Sequence, residues 1–169
     1  HNEEWQLIKM LVEHGDKEFL EEKTVATTFF EEIDLTIFEN SLAYDIAMLY
    51  YNYWQENKVY PPLSHFTNFP MKSVKEKVID LVQIATTNQL SENWGLMHQI
   101  EVPIIEENYL ADVRSSFAYF RLKLIQKYLK DNLEELKLTK DPKKEQQLAK
   151  TNLLLKQEEK QLMDIVIVR

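Results

Sequence analysis

The stretch IIEENYLADVRSSFAYFRLKLIQKYLKDNLEELKL, residues 104 to 138, contains neither glycine nor proline. Two apolar stripes run along it at helical spacing. One is Leu110, Val113, Phe117, Phe120, Leu124 and Tyr128; the other is Ile125, Leu129, Leu133 and Leu136. Pro103 fits the first turn, and Glu106 and Glu107 complement the positive end of a helix dipole. The spacing predicts one helix from about 104 to 138, some 50 Å long at about 1.5 Å per residue. That exceeds the diameter of a bundle built from the helices before it, so its far end is expected to project.

The C-terminal segment supplies a partner for this helix. TKDP, residues 139 to 142, makes a turn, with Asp141 as cap and Pro142 at the first helical position. A last helix returns through Leu148, Leu155 and Leu162, spaced by seven as in a two-helix seam. The expected fold is therefore all-α, a helical bundle followed by a long helix and a protruding C-terminal helical hairpin. Residues 1–128 would form the bundle and 129–169 the hairpin, the long helix being shared between them.

Working towards the N-terminus, EEWQLIKMLVEHGD places Trp5, Ile8, Leu11 and Val12 on one helix face and stops at Gly15, suited to a left-handed position beyond a helix end. TVATTFFEEID sets Val25, Phe29 and Ile33 four apart and reads as a helix, although its β-branched residues would also suit a strand. FENSLAYDIAMLYYNYWQEN is the most apolar helix, its stripe of Leu42, Ile46, Leu49, Tyr50, Tyr53 and Trp54 destined for the centre of the core. A short helix is expected in YPPLSHFTNF. Ser73 is expected to cap VKEKVIDLVQIA, with Val74, Val78, Leu81 and Val82 facing inward.

The 169 residues include only two glycines, so the tight primed turns of β-hairpins are expected to be scarce. No cysteine is present, which excludes disulfides and thiolate metal sites and fits a cytoplasmic protein. No run approaches a membrane span. A chain that begins with His1 reads as an excised piece of something longer. The net charge of −8 argues against nucleic acid as the main partner, but it is unevenly spread. Residues 1–108 carry 7 Lys+Arg against 19 Asp+Glu, and residues 109–169 carry 13 against 9. The last third is the basic end.

Chemistry-bearing motifs are weak throughout. HQIE, residues 98 to 101, reverses the Glu-x-x-His order of carboxylate-bridged metal bundles and occurs once, so His98 and Glu101 with Glu106 and Glu107 are not expected to bind metal. His14 and His65 read as solvated or capping residues. No glycine-rich phosphate loop and no nucleophile elbow occur, and the paired glutamates read as solvated helix faces. Tyr44, Tyr50, Tyr51, Tyr53, Trp54 and Tyr60 could stack on bases, but residues 39–57 contain no Lys or Arg to interleave with them, so core packing accounts for them better. No catalytic residue and no cofactor are expected.

With these residues laid out, the chain resembles the C-terminal, helicase-binding domain of bacterial DnaG-type primase. The similarity is carried by IKMLVEHG, FENSLAYDI and the RLKLIQKYL course of the long helix. Its most specific part is the pattern of LSENW, His98, Ile100, Val102, Pro103, Glu106, Leu110, Asp112 and Val113. The resemblance covers nearly the whole chain. It implies a helical bundle with a helical hairpin that docks on the N-terminal domains of a hexameric DnaB-type replicative helicase, coupling primer synthesis to unwinding. It also implies a structural joint in which Trp94, Ile100 and Val102 plug the bundle, His98 ties the loop and Pro103 starts the long helix. The family's zinc-binding and polymerase segments match nothing here, so this piece is expected to be an interaction domain of a larger primase rather than the enzyme.

The hairpin residues that would meet the helicase are chosen by surface chemistry, since an interface wants an apolar patch with a polar rim. They are Leu138, Lys140, Lys143, Lys144, Leu153, Leu154, Gln157, Gln161 and Met163. The plainer reading is that Leu153 and Leu154 only widen the seam. Two other functions compete. The N-terminal collar domain of the helicase itself would show a continuing linker and an ATP-binding motif in the full-length gene. A small ligand- or metal-binding bundle would show its metal on analysis of the purified piece.

Overall fold

The computed structural model describes the backbone of residues 2–82 and 105–167 and the side chains of residues 2–82 and 109–166. The joint assigned to Trp94, His98, Ile100, Val102 and Pro103 lies outside the described residues, as do the side chains of Glu101, Glu106 and Glu107. Among the described residues the fold is all-α apart from one small hairpin. The chain runs α1 (Asn2–His14), β1 (Glu18–Leu20), β2 (Lys23–Thr24), α2 (Val25–Glu32), a 3₁₀ turn (Leu35–Ile37), α3 (Ser41–Asn57) and α4 (Leu63–Thr67). It continues with α5, seen over 72–82, α6 (Ile105–Leu138) and α7 (Pro142–Ile167). Two compact units result, His1–Val113 and Arg114–Arg169.

The first unit is built around α1, which packs on α2 and α3. Its buried face is Leu7, Ile8, Met10 and Leu11, shifted slightly from the expected stripe, with Trp5 half-buried beneath the Lys77 ammonium, 4.2 Å from the ring centroid. Against it lie Val25, Ala26 and Phe29 of α2 and Ala43, Ile46, Ala47 and Tyr50 of α3. The centre of the α3 stripe is thus two alanines, an isoleucine and a tyrosine. Leu42, Leu49, Tyr53 and Trp54 flank it, none fully buried, because the small alanines let α3 approach α1 closely. Phe66, Val74, Val78 and Val113 complete the core.

The helix ends are set by side chains. Thr24 caps α2 by accepting from Thr27 N–H (3.2 Å), and Asn40 caps α3 by accepting from Leu42 and Ala43 N–H. Glu4, only 6% exposed, accepts from the backbone N–H of Glu39 (2.6 Å) and Asn40 (3.0 Å), so α1 holds the start of α3 directly. Ser73 is not the cap expected of it. The helix already runs at residue 72, and Lys75 N–H donates to Met71 C=O, which places Ser73 inside the first turn.

Two features depart from the sequence reading. A hairpin does form, with Glu21 and Glu22 as its two-residue turn at φ 47° and 65° and Leu20 opposite Lys23. This is a primed turn built without glycine. Gly15, for its part, has no positive φ. Its hydrogens are required by the Tyr50 phenol instead, since a Cβ there would stand 2.1 Å from Tyr50 Oη.

The second unit contains residues 114–138 of α6 together with α7. Three contacts fix their antiparallel register: Arg121 with Glu158, Asn132 Nδ2 donating to Asn152 Oδ1 (3.0 Å), and Lys144 Nζ with Glu135 (2.9 Å). Ile125 and Leu129 are buried on the α6 side, and Leu148, Leu155 and Leu162 are half-buried on the α7 side, as a leucine seam requires.

Candidate docking surface on the hairpin

The tip of the hairpin is shaped by its capping chemistry. Thr139 N–H closes α6 on Glu135 C=O (3.0 Å). Asp141 then takes Lys143 N–H on its side chain (3.1 Å) and Glu145 N–H on its backbone carbonyl (3.0 Å), with Pro142 as first residue of α7. Leu138 is left at the very end of α6 with 84% of its surface exposed.

Along α7 the seam side is occupied by Leu148, Asn152, Leu155, Glu159 and Leu162, all half-buried or buried. A helix turns 100° per residue, so Leu153, Leu154, Gln157 and Gln161 fall on the opposite side. Leu153 and Leu154 are each 60% exposed, so they do not widen the seam. Met163, 42% exposed, stands on the flank between the two sides. All nine residues proposed from sequence for partner contact are solvent-exposed. The structure does distinguish among the lysines. Lys144 is engaged with Glu135, which holds its ammonium above the usual lysine range through a hydrogen bond and charge attraction. Lys140 and Lys143 carry no ion pair among the described residues.

Sequence reasoning missed Asn132 and Asn152. Asn152 is 7% exposed and its carbonyl is used by Asn132, so the seam carries one polar pair among leucines. Such a pair fixes register at some cost in stability. Part of the signal was available: position 152, four residues after Leu148 and three before Leu155, puts a polar residue on the leucine face, although its partner is on another helix.

The first unit holds a polar cluster that also escaped. His14 is not a solvated cap; its side chain is 20% exposed, accepts from Lys17 Nζ at 3.0 Å and lies 5.6 Å from the Tyr109 ring. Burial first, then the Lys17 charge, push its imidazole down to about 4. Beside it Glu13 is raised by burial, and its Oε1 is buried without a hydrogen-bond partner. Lys17 stands over the Tyr109 ring at 4.9 Å, and the Tyr109 hydroxyl donates to Glu18 C=O (2.8 Å). The donors here point at acceptors within the cluster, Lys17 Nζ at His14 Nδ1 and the Tyr109 hydroxyl at Glu18 C=O, which ties α1 and the β1–β2 hairpin to the start of α6. His65 is likewise enclosed, 4.5 Å from the Tyr53 ring, and its imidazole is lowered by burial. Of the aromatics read as core residues, Tyr50 is buried against Phe66, and Tyr53, Trp54 and Tyr60 are half-buried with Trp54 stacked on Tyr60, whereas Tyr44 and Tyr51 are exposed, because they lie on a side of α3 turned away from its buried Ala43, Ile46, Ala47 and Tyr50 face.

Among the described residues no group of His, Cys, Asp or Glu could hold a metal ion, and no helix is long and apolar enough to cross a membrane. No curated protein and no solved structure matches the chain. A family model does match over residues 1–166, and the chain belongs to that family, described as a domain of unknown function (DUF8430).

Proposed function

We propose that this chain is a protein-interaction domain of a primase, docking through its helical hairpin on the N-terminal domains of a hexameric replicative helicase. The observation that carries the reading is the pair Leu153 and Leu154, each 60% exposed on the side of α7 turned away from α6. Two adjacent leucines left in water on a helix, bordered one turn away by Lys150 and Gln157 with Gln161 and Lys143 further along the same side, form a small apolar centre with a polar rim. Leu138, Lys140, Lys144 and Met163 extend the surface around the tip and flank. The resemblance of the chain to primase C-terminal domains supplies the partner, and the excess of positive charge in residues 114–169, 13 Lys+Arg against 8 Asp+Glu, suits an acidic one. The role is one of tethering; catalysis and cofactors would belong to other parts of the parent protein, which acts in the cytoplasm.

The test is to mix the purified chain with its cognate helicase hexamer and look for co-migration in size exclusion. Co-migration of the intact chain is expected, and Leu153→Asp should weaken it at least tenfold. Full co-migration of a chain lacking residues 139–169 would place the contact elsewhere and overturn the assignment.

A further inference from the structure

The outward side of α7 is self-complementary. Taking the Leu153 and Leu154 pair as centre, Lys150 and Gln157 stand three residues to either side, Gln146 and Gln161 seven, and Lys143 and Asp164 ten. At 100° per residue all eight positions fall within an arc of about 100° on the side away from the seam, so they form one strip. Every one of them is exposed. A strip with this symmetry meets itself without mismatch when a second copy lies antiparallel across it, the arrangement a two-fold axis generates.

We infer that α7 pairs antiparallel with α7 of a second copy of the chain, the two leucine pairs meeting on the two-fold axis. In that register Lys150 faces the partner's Gln157, Gln146 faces the partner's Gln161, and Lys143 faces the partner's Asp164, the last contact occurring at both ends. A parallel pairing would instead set Lys143 and Lys150 against their own copies and is disfavoured by like charge. Charge complementarity thus selects both the occupant and its direction. The apolar centre is only two leucines from each copy, so the contact belongs with small, transient interfaces and weak association is expected. This inference does not depend on helicase docking, but the two uses share Leu153 and Leu154 and would exclude each other.

Sedimentation equilibrium of the chain alone, from about 10 µM to about 1 mM, tests it without any partner. The expected mass rises from 20.2 kDa towards twice that value. Leu153→Asp is expected to stay monomeric throughout. Lys143→Asp and Asp164→Lys should each weaken association several-fold, and the double charge swap should restore it. All these positions are solvent-exposed, so folding is expected to survive, which far-UV circular dichroism verifies. A wild-type chain monomeric at 1 mM, or a double swap no better than the single reversals, would refute the pairing while leaving docking on a helicase untouched.

Discussion

At the scale of single residues, Gly15 separates two explanations that sequence alone could not. A glycine after a helix usually signals a left-handed backbone, but here the requirement is space: a Cβ would lie 2.1 Å from Tyr50 Oη and 2.5 Å from Leu11 O. Gly15→Ala should therefore cost about 1–3 kcal/mol in urea denaturation, as overpacking does. Were the site merely flexible, alanine would stabilise by about 0.4–1 kcal/mol, so the sign decides. Tyr50→Phe in the same chain removes the nearest atom but not the Leu11 carbonyl, and should recover only part of the loss. His14 makes a second prediction. Burial keeps its imidazole neutral down to about 4 when folded, against an ordinary value of 6.5 when unfolded. The unfolded chain thus binds more protons between those values, and stability contributed by His14 is complete above pH 6.5 and lost as pH falls towards 4. Glu13, raised by burial, acts in the opposite sense, its contribution fading as pH rises above 4.5. His14→Gln should lower the urea midpoint at pH 7 but reduce the further drop between pH 7 and pH 5. Part of that drop should persist, because His65 is depressed too. An unchanged drop would mean that His14 is not the titrating group.

At the scale of elements, α1, α3, α6 and α7 were legible because each declares itself by periodicity, and α7 also by a local start signal, Asp141 accepting from Lys143 N–H ahead of Pro142, whereas the cap of α3, Asn40 on Leu42 and Ala43, went unread. The hairpin β1–β2 was not legible. Its turn residues are Glu21 and Glu22, both in the left-handed region, which costs side-chain-bearing residues about 1–2 kcal/mol each. The turn persists because tertiary contacts hold its flanks: Val25 N–H donates to Lys17 C=O, Ala26 N–H to Gly15 C=O, and the Tyr109 hydroxyl to Glu18 C=O. Those partners are distant or unpatterned in sequence, so no local rule finds them. Replacing the turn by Asn-Gly, as Glu21→Asn with Glu22→Gly, should relieve the backbone and raise stability by about 1–2 kcal/mol. A urea midpoint unchanged or lowered by the double substitution would show that the glutamates are held there by contacts worth more than the strain. The candidate surface on α7 was legible only in part. Leu153 and Leu154 lie off the seven-residue repeat of Leu148, Leu155 and Leu162, which made them candidates, but the same spacing allowed them to widen the seam, and it is their 60% exposure that decides. Asn152 lies on the seam face, and reading it as a register pair needs Asn132, twenty residues away on another helix.

At the scale of the whole molecule, the governing property is the division of charge. Residues 1–113 carry 7 Lys+Arg against 20 Asp+Glu, whereas residues 114–169 carry 13 against 8, and this boundary coincides with that between the two structural units. The hairpin unit is therefore a cationic body covalently attached to a strongly anionic one, and an acidic partner is attracted by the former and repelled by the latter. Attraction dominates only at separations comparable to the screening length, about 8–10 Å near physiological salt, where the hairpin's own lysines are the nearest charges. Raising salt shortens that length and weakens steering before it affects the leucine contact. Helicase affinity is accordingly expected to fall several-fold between about 50 mM and about 300 mM salt, mostly through slower association, because charges on the rim act on encounter more than on residence. Lys140→Glu with Lys143→Glu should flatten that dependence, while Leu153→Asp should speed dissociation at every salt concentration. Surface plasmon resonance on an immobilised helicase hexamer resolves the two. Association rates indifferent to salt in the wild type would mean that the charge division plays no part in encounter, and that the exposed leucines alone must account for any docking.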